Sequence, residues 1–455
     1  MVPERAEIAV IGAGIIGIAT AYYAAVVQGL RDVVLIDAGA PMAFTSAQSG
    51  ENYRNWWPHP AMVALTDRSI DLLEGFARET DNRIAMTRRG YVVATRQTDV
   101  APLLEELRVG LGDRAEGLIR IHEKASSALY QPPVSPAWEA APDGVDTLRH
   151  QALIRATFPS FDPEIQTVIH IRRGGDIRGQ QLGMVMLERF REAGGRRLSA
   201  RVQAIEAGAG FKIALAGPEG VQRLTVGRFV NAAGPFAGEI AAMLGIDLPL
   251  HNVFQQKIAF EDATQAIPRA MPFAIDLDPQ QIDWAEEERA MLREDPALAW
   301  LGDEMPGAIH CRPDGGDAGR WLKLGWAFND RAAAPSWCPP LMEAFPEIVL
   351  RGAAQLNPAL RQYYGQLPAR RHHYGGWYTM TEENWPLIGP MGRAGAFMNC
   401  AHSGFGTMAA CAAGELCAAW LAEVPLPPYA TSFSMARYDD PALMALLARS
   451  NRGVL

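Results

Sequence analysis

Gly12, Gly14 and Gly17 stand in the run GAGIIG, and Asp37 follows twenty residues after the last of them. The first glycine permits a tight turn after a strand. The second lets the backbone approach a pyrophosphate, and the third lets a helix pack closely on the strand. A helix opening there offers unpaired N–H groups and a partial positive charge to phosphate oxygens. Ala13, Ile15 and Ile16 complete the turn, and Asp37 with Ala38 falls where a carboxylate can accept hydrogen bonds from a ribose diol. That carboxylate would repel the extra phosphate of NADP, but it does not separate NAD from FAD. A second glycine turn, NAAGPFA (231–237), brings Ala232 and Gly234 toward the same large ligand.

Other side chains could bind or react. Arg54, in GENYRNWW (50–57), is a fork donor suited to a carboxylate. Trp56, Trp57, Trp377 and Tyr378 read either as walls for a bulky or alkylated-ammonium group or as core packing. His402 reads as a structural hydrogen-bonding group, and His59, His372 and His373 carry no stronger signal. No Ser-His-Asp order and no HExxH run occurs, so neither a nucleophilic mechanism nor a metal site is expected.

The elements that must position these groups follow from hydropathy. Residues 7–11 read as a strand, 12–17 as a turn, 15–30 as a helix and 32–37 as a second buried strand, together a βαβ unit. Residues 8–30 carry no charge and have the length of a membrane span. The glycines divide that run, so no integral membrane segment is expected. Helices are expected at 58–80, 179–194 and 407–421, and strands at 90–95, 201–206, 212–215, 228–231, 256–260, 322–326 and 396–399. Residues 125–165 lack a pattern and read as surface connections; 278–320 is charged, Pro-interrupted and reads as peripheral. Lys323 alternates with apolar neighbours and reads as a solvated strand residue.

The chain of 455 residues is long enough for several domains, and its net charge of −9 argues against a nucleic-acid partner. Five cysteines, an odd number with no CxxC pair, argue against a disulfide framework or zinc site and for a reducing, cytoplasmic location.

Four motifs in order, GAGIIG (12–17), NAAGPFA (231–237), TEENWPLIG (381–389) and AHSGFGT (401–407), give the chain its resemblance to a family. It resembles the D-amino-acid-oxidase-like flavoprotein superfamily, in the branch of sarcosine oxidase, glycine oxidase and dimethylglycine dehydrogenase. The resemblance covers almost the whole chain and selects FAD over NAD. It implies an α/β fold in which a discontinuous Rossmann-like FAD-binding domain spans 1–85, 150–246 and 365–455. A mixed α+β substrate domain with an antiparallel-rich sheet takes 86–149 and 247–364. It also implies cofactor contacts from Thr45, Ser46, Val202, Gly404, Phe405, Gly406 and Thr407. The helix opening at 404–407 would aim N–H groups at the flavin edge where negative charge develops on reduction.

The chain departs from the family in two places. Where relatives resembling sarcosine oxidase attach FAD through a cysteine, Gly376 stands; where others use a histidine, the loop TSAQSG (45–50) has none. Non-covalent FAD is therefore expected. Arg54 can fill the family's carboxylate-binding arginine role, but a closing-helix lysine is replaced by Met408, and another branch's arginine falls at Tyr378. Trp326 sits in a run resembling a family strand that borders the active site. The resulting expectation is FAD-dependent oxidation of a C–N bond in an amino acid or N-alkylated amine, with Arg54, Tyr378, Trp377 and His402 in the site. Hydride goes to flavin N5, and the imine is then hydrolysed. Oxygen or a redox partner would take the electrons. The alternatives are a 2-hydroxy acid dehydrogenase using His402 or His59 as base, and a flavoprotein subunit of a hetero-oligomeric amine dehydrogenase.

Overall fold

The computed structural model describes residues 3–133, 138–218, 220–296 and 298–449. Residues 134–137 of the patternless stretch and 297 of the charged one lie outside the described residues, as do the chain's first two and last six.

Arg5–Ile11 is the middle of an eight-stranded sheet, running parallel to Val33–Asp37 on one side and Gly220–Asn231 on the other. Ile8, Ala9 and Val10 are fully buried, the signature of a parallel strand covered on both faces. Arg196–Ser199 extends the parallel set on one side, and Ala396–Cys400 pairs in parallel with Gly220–Asn231. Helices Ile15–Tyr22, Pro60–Glu79, Gly179–Glu192 and Gly406–Ala422 pack together in one core cluster against this sheet. The first and last approach very closely, because a Cβ on Gly414 would meet the Ala19 carbonyl carbon at 2.8 Å. The first helix is shorter than its apolar run. Its winding changes to π-type over Tyr23–Val27, and Gly29, at φ +66°, ends it in the left-handed region that glycine tolerates.

The second sheet has nine strands, ordered Arg371–Met380, His251–Glu261, Trp321–Gly325, Ile309–Asp314, Phe273–Asp276, Tyr91–Thr95, Thr167–Ile171, Val145–Leu148, Ile119–His122. All pairings are antiparallel except two. Thr167–Ile171 and Arg371–Met380 come from segments that the expected boundaries at 150 and 365 leave on the cofactor side. Helix Phe345–Leu356 packs against one face of this sheet. Two expectations fail here. The stretch 125–165 contributes a wholly buried strand, Val145–Leu148, whose Asp146 is held by Arg120, His122 and Arg172, so a polar residue masks the apolar pattern. The stretch expected to be peripheral contributes the interior strand Ile309–Asp314, where Cys311 and Arg312 are buried. Among the described residues no helix is long and apolar enough to cross a membrane.

Candidate active site

The parallel register brings Gly12, Asp37 and Ala232 to one edge of the first sheet, because Ile11 pairs with both Ile36 and Asn231. Gly12 sits at φ +110°, and a Cβ there would lie 2.2 Å from the Ala232 carbonyl oxygen. On Gly17 it would lie 1.8 Å from the Gly12 oxygen, so Gly17 is packed inside the turn rather than lining a cavity. Asp37 accepts from the Ala13 N–H at 2.6 Å and the Gly39 N–H at 2.7 Å, which fixes its carboxylate at the end of the strand. Ser46 Oγ accepts from the Ile15 N–H at 2.9 Å.

Three cavities of about 200, 120 and 290 Å³ run end to end from this turn. The first holds Gly12–Gly14, Asp37, Ala38 and Val202; it shares Gly14, Thr45, Ser46, Ala232 and Gly234 with the second. The second adds Ile15, Ile16, Trp377, His402 and Gly406, and shares Lys257, Tyr378, Ser403, Gly404 and Thr407 with the third. Arg54, Trp57 and Phe405 line the third. The channel is long, and two polar atoms in its wall await a partner. Thr45 Oγ1 and His402 Nδ1 are buried in its second compartment's wall without a hydrogen-bond partner, and Gly14, Gly234, Gly376, Gly404 and Gly406 line that compartment. These residues fit a dinucleotide, extended from Asp37 to the start of the closing helix.

That helix, Gly406–Ala422, begins after two left-handed residues, Ala401 at φ 61° and Ser403 at φ 46°. Its first turn has no side-chain cap, which leaves its N–H groups to the channel. Gly404 is forced, since a Cβ there would meet the Tyr378 ring at 2.6 Å. Asn399 donates to Thr20 Oγ1 and to the Ala413 carbonyl, so its Oδ1 must accept from His402 Nε2, at 2.8 Å. His402 is therefore a neutral ring with Nδ1 as an acceptor, and burial lowers its pKa to about 3.

In the third cavity Arg54 is 2% exposed. Its Nη1 donates to Tyr91 Oη at 2.8 Å and its Nε to the Trp56 carbonyl at 3.2 Å. Its guanidinium lies over the rings of Trp57 at 5.1 Å and Tyr91 at 4.8 Å. A guanidinium stacked and bonded in this way is held in one orientation. Trp57 packs edge-on against Phe405 at 4.9 Å, whereas Trp56 packs with Tyr91 and Ile171 in the core. The loop that delivers Arg54 is pinned by Glu51, at φ 62°, whose carboxylate accepts from the Gly179 N–H at 2.9 Å and pairs with Lys323 at 3.0 Å. His310, also in the wall, has its pKa lowered to about 3 by burial and by Lys257.

Several readings are corrected. Lys323 is not a solvated residue: it bridges Glu51 and Asp314. Trp326 faces away from the cavity, with its Nε1 donating to the Pro306 carbonyl at 3.0 Å. His59 caps helix Pro60–Glu79 by accepting from the Ala61 N–H, and His372 and His373 stack on Trp321 and Phe345. A Ser–His–Asp contact does exist, at Ser127, His122 and Asp146, but Asp146 is shared with two arginines and none of the three lines the channel. Lys257, Tyr91, Phe273 and His310 were missed. Lys257 sits on a strand whose alternate residues His251, Val253 and Gln255 share its cavity, a period-2 signal visible in the sequence but too short to mark a site.

A family model described as FAD dependent oxidoreductase matches residues 7–420. No curated protein matches the chain. Among solved structures, L-proline dehydrogenase from P. horikoshii is similar at 17% identity, covering 96% of this chain and 99% of that one with a TM-score of 0.70. Glycine oxidase from Geobacillus kaustophilus is similar at 16% identity, with 96% and 99% covered and a TM-score of 0.69. Iminodiacetate oxidase from Chelativorans sp. BNC1 is similar at 17%, with 94% and 98% covered and a TM-score of 0.67. At these identities the likeness is one of fold.

Proposed function

Because the chain belongs to the FAD dependent oxidoreductase family, we propose that it oxidises a C–N bond in a bulky amino acid or N-alkylated amine, with FAD held non-covalently along the channel. The observation that carries this reading is the third cavity: a buried, oriented Arg54 among aromatic walls, opening directly onto the dinucleotide channel at Lys257, Tyr378 and Gly404. The proteins of similar fold include a proline dehydrogenase, a glycine oxidase and an iminodiacetate oxidase, which supports C–N chemistry on an amino acid.

Bound FAD supplies a hydride acceptor. The chain's own residues do the rest. Arg54, held in place by Tyr91 and the Trp56 carbonyl, supplies the positive charge for the substrate carboxylate. Trp57, Tyr91, Phe273 and Tyr378 exclude water and accept a bulky substituent in a cavity of about 290 Å³. Lys257 places a positive charge where the two compartments join, and so favours negative charge developing there. The closing helix does the same with unbonded N–H groups. An amine that arrives neutral needs no strong base. An alcohol does, and His402 and His310 are both poor bases at pKa values of about 3. That weighs against the hydroxy acid alternative. Non-covalent attachment is supported by Gly376, which carries no side chain and stands against Gln48. The first sheet would hold the cofactor and the second cover its reacting face. Five unpaired cysteines suit a reducing compartment.

The test is anaerobic reduction of the purified protein, followed near 450 nm, with aromatic and N-methyl amino acids, bulky secondary amines and 2-hydroxy acids. Bleaching by amines alone is expected; bleaching by hydroxy acids alone would sink the reading. Return of colour in air would identify oxygen as the acceptor, and persistent bleaching a redox partner.

A further inference from the structure

Every residue around the Asp37 compartment comes from a strand of the first sheet or from the loop or helix that directly follows one, with one exception. Trp337 reaches it from the second sheet's side, on the irregular segment 329–342. This segment is a strap tied at both ends. Gln255 donates to the Asn329 carbonyl at 2.6 Å, and Ala333 N–H donates to the Asn252 carbonyl at 2.9 Å. Beyond the apex, the Met342 N–H donates to Gln256 Oε1 at 2.9 Å. In the middle, Trp377 Nε1 donates to the Ser336 carbonyl at 2.9 Å. Pro335, Pro339 and Pro340 stiffen the span.

Trp337 stands at the apex. Its ring lies 5.2 Å from Phe236, inclined by 21°, and 4.6 Å from Phe44. Phe236 belongs to the second glycine turn and Phe44 to the loop after Asp37, so the indole bridges the two backbone walls of the compartment. It would also lie 3.9 Å from a Cβ on Gly39, whose N–H bonds Asp37. It remains 43% exposed, so part of the ring is open to a ligand.

We propose that Trp337 is a dinucleotide-retaining residue: the strap closes the Asp37 compartment over the adenosine half of FAD, and FAD exchange requires the strap to lift. The proposal rests on the FAD reading above and extends it, because a cofactor without a covalent bond must be kept by contacts alone. An aromatic face is suited to a purine, which stacks whatever its hydrogen-bonding edge.

The test compares full-length holoprotein as wild type, Trp337→Ala and Trp337→Phe. FAD release is followed by the rise of free-flavin fluorescence on dilution. Trp337→Ala is expected to release FAD about 10-fold faster, and Trp337→Phe within about 3-fold of wild type. A second measurement needs no variant. Amide exchange in wild type should slow at 333–342 when FAD is added to the apoprotein. Wild-type release by Trp337→Ala, or protection at 12–17 without any at 333–342, would overturn the proposal and leave the FAD reading intact. A wild-type protein that binds no FAD would overturn the FAD reading itself.

Discussion

The two ends of the channel are built by different means. Around Gly12 and Asp37 the walls are mostly backbone, and glycines let one turn lie against another at distances no side chain tolerates. Around Arg54 the walls are side chains drawn from the loop after the first unit, from the second sheet between its Arg371–Met380 edge and the strand Tyr91–Thr95, and from the closing turn. The first design suits a ligand shared by many proteins, since every residue offers the same N–H. The second suits a ligand particular to one protein, since each wall residue can change without disturbing a turn. The ends meet at Tyr378 and Gly404, where a side chain occupies the space a glycine leaves.

The largest expected effect is at the backbone end. Gly12→Ala combines a left-handed φ with a clash against the Ala232 oxygen, and each source of strain costs about 1–3 kcal/mol. The variant should purify with almost no FAD and melt well below wild type, as absorbance at 450 nm per protein and a thermal melt would show. Full flavin content would break the claim that backbone closeness builds this end.

The same contrast governs what the sequence discloses. The backbone end is local: GAGIIG, Asp37 and NAAGPFA are short runs whose spacing states their geometry. The glycines at 404 and 406, just before and at the start of the closing helix, were legible for the same reason. The side-chain end is not local. Lys257 and His310 become neighbours of Arg54 only through strand order in the second sheet, where Lys257 pairs with Gly325 and Gly325 with His310. Trp337 lies in a segment without periodicity. The strand Val145–Leu148 was missed because Asp146 is stabilised by partners from two other segments, which no pattern within residues 145–148 can reveal.

At the side-chain end, Arg54→Met should lower kcat/KM for carboxylate-bearing substrates by about 10- to 150-fold, the worth of a charge-assisted hydrogen bond of about 1.5–3 kcal/mol. Amines without a carboxylate should lose far less. Equal losses for both would mean that Arg54 shapes the cavity rather than binding the substrate.

Acid should stress the second and third compartments together. His402 and His310 each have a folded pKa of about 3, below the ordinary 6.5, because burial disfavours the charged ring. Between those values the unfolded chain binds more protons, so stability is complete above about pH 6.5 and falls as pH drops toward 3. At pH 5 each histidine should cost about 2 kcal/mol. His310→Gln and His402→Asn should each flatten the fall in melting temperature from pH 7 to pH 5, and an unchanged slope would show that the ring is solvated in the folded state.

The smallest effect tests the place where the two designs meet. The Tyr378 ring is fixed by Gly404 behind it and lies 5.7 Å from the Lys257 ammonium, so removing only its hydroxyl leaves the packing in place. If that hydroxyl donates to the carboxylate beside Arg54, Tyr378→Phe removes one hydrogen bond worth about 0.5–1.5 kcal/mol and raises KM about 2- to 10-fold. The effect should vanish in the Arg54→Met background, since two groups binding one carboxylate are coupled. A loss of the same size in both backgrounds would assign Tyr378 to the flavin side of the junction, and the substrate end would then rest on Arg54 alone.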